Sequence, residues 1–491
     1  MRSVKYLIVL MVAVVISVAC KKSEAESASL TLERTSLYFD SWHDDAQTIS
    51  YTATGAIKVA VSSYSPGWNA WVNEATQTIT IWTVGANEEG MVEEELSKEG
   101  AVVVNALNAD NQPTSYYINV YVASTETLDK DGQELSNCYI VTEPSVCYTF
   151  DVKHRPDGAE LATTGVALLW QSNQGIVKNV TLAGDKVQFY VTSLKDDASS
   201  VENTNAVVAA YNAYGEVIWS WHLWIVNDNP LDLYDEYSNG KVFMRQNLGA
   251  FTNANGSLDE QKIHDSYGMY YQWGRKDPFQ RPYYFNASGA DNETRYNGSN
   301  GYIKDQYLER TSSNGTVDYV TKYPMDFITN AACMNAGGDG IGDWLVSADN
   351  SLWKDAEKSV YDPCPYGWRV PTKQDMSVLQ PDPNEGAELD ATLRKQYGWY
   401  LSDGSSTYFW SACGRRRYSD GKVDNMNYKE GVYPSEPQPW EGHYWTSTAT
   451  DDGKAVSLYF DLTTTRTTVN KFDNAYPDRR ANGFQVRCVK M

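Results

Sequence analysis

Asp362-Pro363-Cys364-Pro365-Tyr366-Gly367-Trp368-Arg369-Val370-Pro371-Thr372 places one cysteine, three prolines, one glycine and one tryptophan in eleven residues. Pro363 and Pro365 fix the backbone on either side of Cys364. Gly367 permits a turn that other residues make with difficulty. Trp368 and Val370 alternate around Arg369 as in a short buried strand. Thr372-x-x-Asp375 is a capping box ahead of Met376 and Leu379, so a helix opens there and stops before Pro381. The stretch reads turn, strand, turn, short helix, with a cysteine at its root.

At the start of the chain, Arg2 and Lys5 precede an apolar run over 7–18. A bilayer-spanning helix needs about 20 residues, so this run is a secretory signal. Ile16-Ser17-Val18-Ala19-Cys20 resembles the bacterial lipoprotein box, which implies a signal peptide over 1–19 and lipidation of Cys20. Residues 20–28 then form a polar tether. Lys21, Lys22, Glu24 and Glu26 resemble the surface-export tag of Bacteroidetes lipoproteins. The expected location is the outer membrane, held by the lipid alone.

The net charge is −22, and the only basic cluster is Arg415-Arg416-Arg417. Nucleic-acid binding needs a positive footprint, so that partner is excluded. Five histidines are scattered through the chain, against 16 Trp and 35 Tyr. The chain is therefore expected to hold no metal and no cofactor, and to use aromatic rings in its core or against ligands. Cys138, Cys147, Cys333, Cys364, Cys413 and Cys488 remain after Cys20. In an exported protein these six are disulfide candidates.

Residues 29–125 alternate apolar and polar, as over 78–84 and 116–122, with glycines as punctuation. The pattern predicts a β-sandwich. Leu37-Tyr38-Phe39 and Gly67-Trp68-Asn69-Ala70-Trp71 resemble a BACON domain. Trp68 and Trp71 are read either as glycan-stacking rings or as core. A second sandwich is expected over 129–227. Val146, Tyr148, Phe150 and Val152 share one face. Trp219, Trp221, Leu223 and Ile225 do the same, and place structural His222 on the opposite face. Cys138 and Cys147 form a disulfide only if the loop at Pro144 is wide or the strands are offset, because a disulfide needs Cα atoms within about 7 Å.

From Lys241 onward strands shorten and loops lengthen. Met244-Arg245-Gln246-Asn247-Leu248-Gly249-Ala250, Tyr270-Tyr271-Gln272-Trp273-Gly274, the 362–372 stretch, Tyr444-Trp445-Thr446-Ser447-Thr448 and Gly483-Phe484-Gln485-Val486-Arg487-Cys488-Val489 occur in that order. Together they resemble the Fibrobacter succinogenes major paralogous domain. The resemblance implies a C-type-lectin-like domain over 238–491. The expected fold class is therefore mainly β, two sandwiches followed by an α+β domain. It also makes Cys364 with Cys488 the best disulfide pair, and leaves Cys333 with Cys413 only if Cys138–Cys147 forms as well.

No catalytic motif is present. The lectin-like fold is shared with formylglycine-generating enzymes, but these cysteines are spaced for structure. Gln380-Pro381-Asp382 matches a lectin calcium tripeptide and is read as a helix stop. Asp339-Gly340-Ile341-Gly342-Asp343 carries carboxylates on a Gly-rich loop and is read as a surface turn, with calcium held through oxygen ligands as the alternative. Trp399, Tyr400, Trp410, Trp440 and His443, with Tyr408, Tyr444 and the arginines, fall where lectin-like folds carry binding loops. They are the expected ligand-binding residues. The functional expectation is a non-catalytic surface lipoprotein for adhesion or ligand recognition, of the kind that serves as a fimbrial tip subunit and joins its neighbours. The alternative is an accessory glycan-binding lipoprotein for polysaccharide capture.

Overall fold

The computed structural model describes residues 27–42, 44–84, 96–194, 197–257, 259–284, 294–304, 306–355, 357–381, 397–424, 441–462 and 472–491. Cys20, the signal and most of the tether lie outside them. The chain is mainly β and built from several sheets. One compact unit ends at Val122 and a second runs Ala123–Met491. Among the described residues no helix is long and apolar enough to cross a membrane.

The first unit contains two four-stranded sheets. One is ordered Ser29–Leu32, Gln47–Thr54, Thr78–Thr83, Trp68–Asn73; the other is Ser36–Phe39, Pro113–Val122, Glu99–Leu107, Lys58–Tyr64. Strand alternation sends Ile49, Tyr51, Ile79, Ile81 and Trp68 into one core with Val102, Val104, Ile118 and Val120. Gly67 turns the chain into Trp68 at φ +87°, where a Cβ would stand 2.6 Å from the Trp42 ring. Only glycine fits that approach.

In the second unit, Val177–Ala183, Lys186–Val191, Val146–Asp151 and Thr125–Thr127 form one sheet. The other is ordered Cys138–Val141, Val217–Ile225, Thr204–Tyr211, Gly165–Gln171 and continues into Arg295–Tyr296 and Tyr302–Ile303. The faces expected from alternation meet in a shared core of Val146, Tyr148, Phe150, Phe189, Trp221 and Leu223. The two short added strands come from beyond residue 238, through the pair Gln171 and Tyr296. A second core joins Trp170, Val207 and Trp224 to Met244, Trp273, Trp353 and Phe484. The boundary expected between 227 and 238 therefore separates no compact units.

Because that second core covers the outer side of the sandwich, both faces of Val217–Ile225 are buried. His222 on the outer side is fully satisfied. Its Nε2 lies 2.8 Å from Asn205 Oδ1, and the Asn205 amide donates to Gly249 O at 2.9 Å. Nε2 therefore carries the proton. Nδ1 accepts from the Cys138 thiol at 3.5 Å and the Tyr271 hydroxyl at 3.4 Å.

This geometry corrects the Cys138–Cys147 expectation. Cys138 pairs in parallel with His222, and Cys147 pairs with Tyr190 in the opposite sheet. Tyr139 and Val141 take the inward positions beside Cys138, as Val146 and Tyr148 do beside Cys147. The two thiols thus occupy opposite outer faces of the sandwich and are buried outside any disulfide, as are Cys333 and Cys413.

Cys364 and Cys488 are bonded, with S–S 2.07 Å. Asp362 organises the stretch around them. Its Oδ1 accepts from the Cys364 N–H at 2.8 Å and its Oδ2 from the Val370 N–H at 2.9 Å. Lys358 Nζ donates to Asp362 at 3.1 Å and to the carbonyls of Cys364 and Trp368 at 2.6 and 2.9 Å. Trp368–Arg369 then pairs with Val489–Lys490, and Phe243 pairs with Val489 from the other side. The first and last strands of the C-terminal region are thus linked through one short sheet. The capping box at Thr372 and Asp375 is present and opens the helix Lys373–Met376. Asn137 of the sandwich donates to Val360 O and Asp362 O at 2.7 and 2.9 Å.

Asp362→Ala would strand two buried N–H groups and a buried ammonium. It is expected to lower stability by about 3–5 kcal/mol. Urea unfolding followed by tryptophan fluorescence checks this, and a change below about 1 kcal/mol contradicts it. Stability should also depend on pH through His222. Burial depresses its pKa from 6.5 to about 3, so the unfolded chain takes up this proton first. Its contribution is complete above pH 6.5 and is lost as pH falls from 6.5 toward 3. The slope is about 1.4 kcal/mol per pH unit. The carboxylates titrate alike in the parent and in His222→Gln, so the difference between their unfolding free energies at pH 6.5 and 5 isolates this imidazole. Parallel curves would refute it.

Candidate functional site

The aromatic cluster expected to bind ligand is mostly interior. Gly398–Ser402 and Thr407–Ser411 pair as neighbouring strands, with Trp399 opposite Trp410. Trp399 packs edge-on against Phe460 and Phe472. Trp410 donates to the Tyr237 hydroxyl at 3.1 Å and lies under the Arg487 guanidinium at 4.3 Å. His443 is sandwiched by Tyr459 and Phe484 and bonds Glu441 through Nε2 at 2.9 Å. All three are buried, which corrects their assignment as ligand contacts. Half-buried Tyr400 ties its hydroxyl to Asn255 O at 3.3 Å. Tyr444 and Trp445 are also core residues. Trp440 lies outside the described residues.

The other sequence candidates are also engaged. Arg416 is buried against Gln280 O and Gly421 O, Arg417 pairs with Asp420, and Arg415 lies 3.6 Å from Asp424. In the 339–343 turn, Asp339 caps the Ile341 N–H at 2.9 Å and pairs with Arg310 at 3.0 Å, while Asp343 faces Arg480 at 3.4 Å. Each carboxylate already has its cation. Gln380–Pro381 is a short edge strand, and Asp382 is outside the described residues.

Cys138, His222 and Asn205 reproduce the order of a thiol, an imidazole and an amide that activates a nucleophile. The environment disarms them. Burial pushes the Cys138 thiol well above its ordinary pKa and holds His222 neutral. All three are buried, leaving no approach for a substrate. The network fills a core.

The tryptophan pair of the first unit divides cleanly. Trp68 is wholly buried against Trp42, at 4.6 Å between ring centroids. Trp71 is 57 % exposed. It stands on the outer face of the sheet ordered Ser29–Leu32, Gln47–Thr54, Thr78–Thr83, Trp68–Asn73. Register places Trp71 opposite Thr80 and Thr80 opposite Thr48. The next row runs Asn73, Thr78, Ser50, and Thr52 lies opposite Thr31. The outward positions of these four strands carry Ser, Thr and Asn, with Trp71 and half-buried Trp82 as the only rings, and just beyond the first strand the Glu33 carboxylate accepts from the Ser50 N–H at 2.8 Å. Rows repeat about 4.8 Å between strands and about 7 Å along each strand. Thr48 and Thr80 share a hydrogen bond at 2.9 Å. Asn69 and Asn73 use their Oδ1 atoms on nearby backbone N–H groups, which leaves their amide N–H groups as donors. The alternation at Thr48, Ser50, Thr52 and Thr54 is legible in the sequence, but only register shows that four strands share one face of hydroxyl and amide groups.

No family model and no curated protein matches the chain. Solved structures with some likeness include the Bacteroides ovatus mixed-linkage glucan utilization locus SGBP-B in complex with mixed-linkage heptasaccharide, at 10% identity and TM-score 0.12, covering 39% of this chain and 43% of that chain. Human CDH23 EC21-23 is 12% identical with TM-score 0.14, over 41% of this chain and 71% of that one. Mouse Protocadherin-24 EC1-3 is 13% identical with TM-score 0.13, over 40% and 69%. The chain thus spans less than half of the SGBP-B structure. At these scores the likenesses carry no argument about site or ligand.

Proposed function

We propose that this protein is a non-catalytic, lipid-anchored cell-surface protein that recognises a neutral glycan, and that Trp71 and the hydroxyl-bearing face around it form the contact. The observation that carries this reading is the exposed indole among outward Thr, Ser and Asn side chains on four paired strands. An indole offers a flat apolar surface for the C–H side of a sugar ring. Thr, Ser and Asn supply donors and acceptors for its hydroxyls. The anchor at Cys20 and the lectin-like character of 238–491 belong to the same proposal and rest on the sequence strings. On this reading the lipid ties the protein to the outer membrane, and the glycan belongs to another cell or a polymer.

The test is affinity electrophoresis of the full-length protein in gels containing barley β-glucan, xyloglucan, galactomannan or yeast mannan. At least one should retard the parent, and Trp71→Ala should weaken that retardation at least tenfold with no change in melting temperature. Equal retardation of the variant, or none of the parent by any of these polymers, overturns the assignment.

A further inference from the structure

A recess of the second unit lies remote in sequence from Trp71. It is a groove of 780 Å³ between sandwich residues 172–174 and 201–203 on one side and the helix Glu260–Asp265 with residues 281–284 on the other. That volume is in the range of small-ligand sites. We propose that this groove binds a short, neutral, hydroxyl-donating oligosaccharide at a site separate from the Trp71 face.

The argument comes from the polarity of the lining amides. An amide side chain offers two N–H donors and one acceptor oxygen, and its orientation follows from the bonds it makes. Asn173 donates to Asn203 O at 2.7 Å, Gln174 to Asn300 O at 3.2 Å, and Gln261 to Asp265 Oδ1 at 3.0 Å. These bonds fix the amide ends, and among the described residues no protein donor meets the three carbonyl oxygens. The exposed Glu202 carboxylate adds acceptors, as does the second oxygen of Asp265.

The cationic groups of the groove are already occupied. Arg281 is buried, lies over the Phe251 ring at 4.1 Å, donates to His264 O at 3.1 Å and sits 3.6 Å from Asp265. His264 bonds Pro282 O through Nε2 at 2.8 Å, so this nitrogen carries its proton. Burial, with Arg281 nearby, keeps the imidazole neutral, its pKa lowered to about 3. Among the described residues the groove therefore presents acceptors without a free cation. A ligand bearing carboxylate, sulfate or phosphate meets repulsion, whereas hydroxyl groups find partners.

Tyrosines line the same groove. Tyr283 is 62% exposed, and Tyr284 is held by a bond from its hydroxyl to Glu260. Their rings offer stacking faces for a sugar. Acceptors and rings together describe a neutral oligosaccharide rather than a nucleotide or an acidic peptide.

The experiment is calorimetric titration of the full-length Trp71→Ala protein, so that the groove is read apart from the sheet face. The probes are cellohexaose, maltohexaose, mannohexaose and hexa-N-acetylchitohexaose, with hexagalacturonate as the anionic comparison. At least one neutral hexasaccharide should bind while hexagalacturonate does not. Tyr283→Ala and Gln261→Leu, each added to that protein, should weaken binding at least tenfold. Tyr283 is an exposed position, so its removal tests the site without disturbing the core. Failure of every neutral probe, preferential binding of hexagalacturonate, or affinity unchanged in both variants overturns the inference. If the groove fails while Trp71 still governs polymer retardation, the sheet-face proposal stands alone.

Discussion

Asp362 is the group on which the C-terminal region depends. One carboxylate orients the backbone N–H groups of Cys364 and Val370 and neutralises Lys358, which in turn gathers two carbonyls. The cysteine, the short strand and the helix cap follow from that arrangement within a few residues. Asn137 reaches the same turn from the sandwich. A buried charge is tolerated when its partners are complete, and here each partner is a backbone or side-chain group fixed by the fold.

The same rule recurs where sandwich and C-terminal region meet. Lys276 lies beneath the sheet, bonded to Asp277 and to Ser220 O. Arg487 spans Met244 O, Phe409 O and Asp235, drawing together strands far apart in sequence. Arg480 does so with Asp343 and Lys454 O. These contacts hold long connections that contain little regular structure. On the proposed reading, recognition is left to surfaces whose polar groups are not consumed by the scaffold: the outer rows around Trp71 and the carbonyl oxygens of the groove.

Strand alternation, the capping box and the turn at Gly367 were readable because each is set by residues a few positions apart. The role of the aromatic residues between 399 and 445 was not. Trp399 and Trp410 alternate properly in their own strands, but alternation cannot say which side a neighbouring sheet will cover, and Phe460 and Phe472 supply that cover from later in the chain. Trp68 and Trp71 show the converse, three residues apart and on opposite faces of one strand. The groove was illegible for a further reason. Its character depends on which end of each amide is already bonded, and two of those partners are remote in sequence, as Asn300 is from Gln174 and Asn203 from Asn173.

The pairing of Gln171 with Tyr296 makes one sheet out of strands from two stretches that the sequence presents as separate. Cut between them, the sandwich would keep its inner core yet bare Trp170, Val207 and Trp224, while the remainder would lose the wall against which Met244 and Trp273 pack. The second sandwich is therefore not a detachable spacer carrying a recognition module. The two stretches form a single packed part, whose shared core neither completes alone.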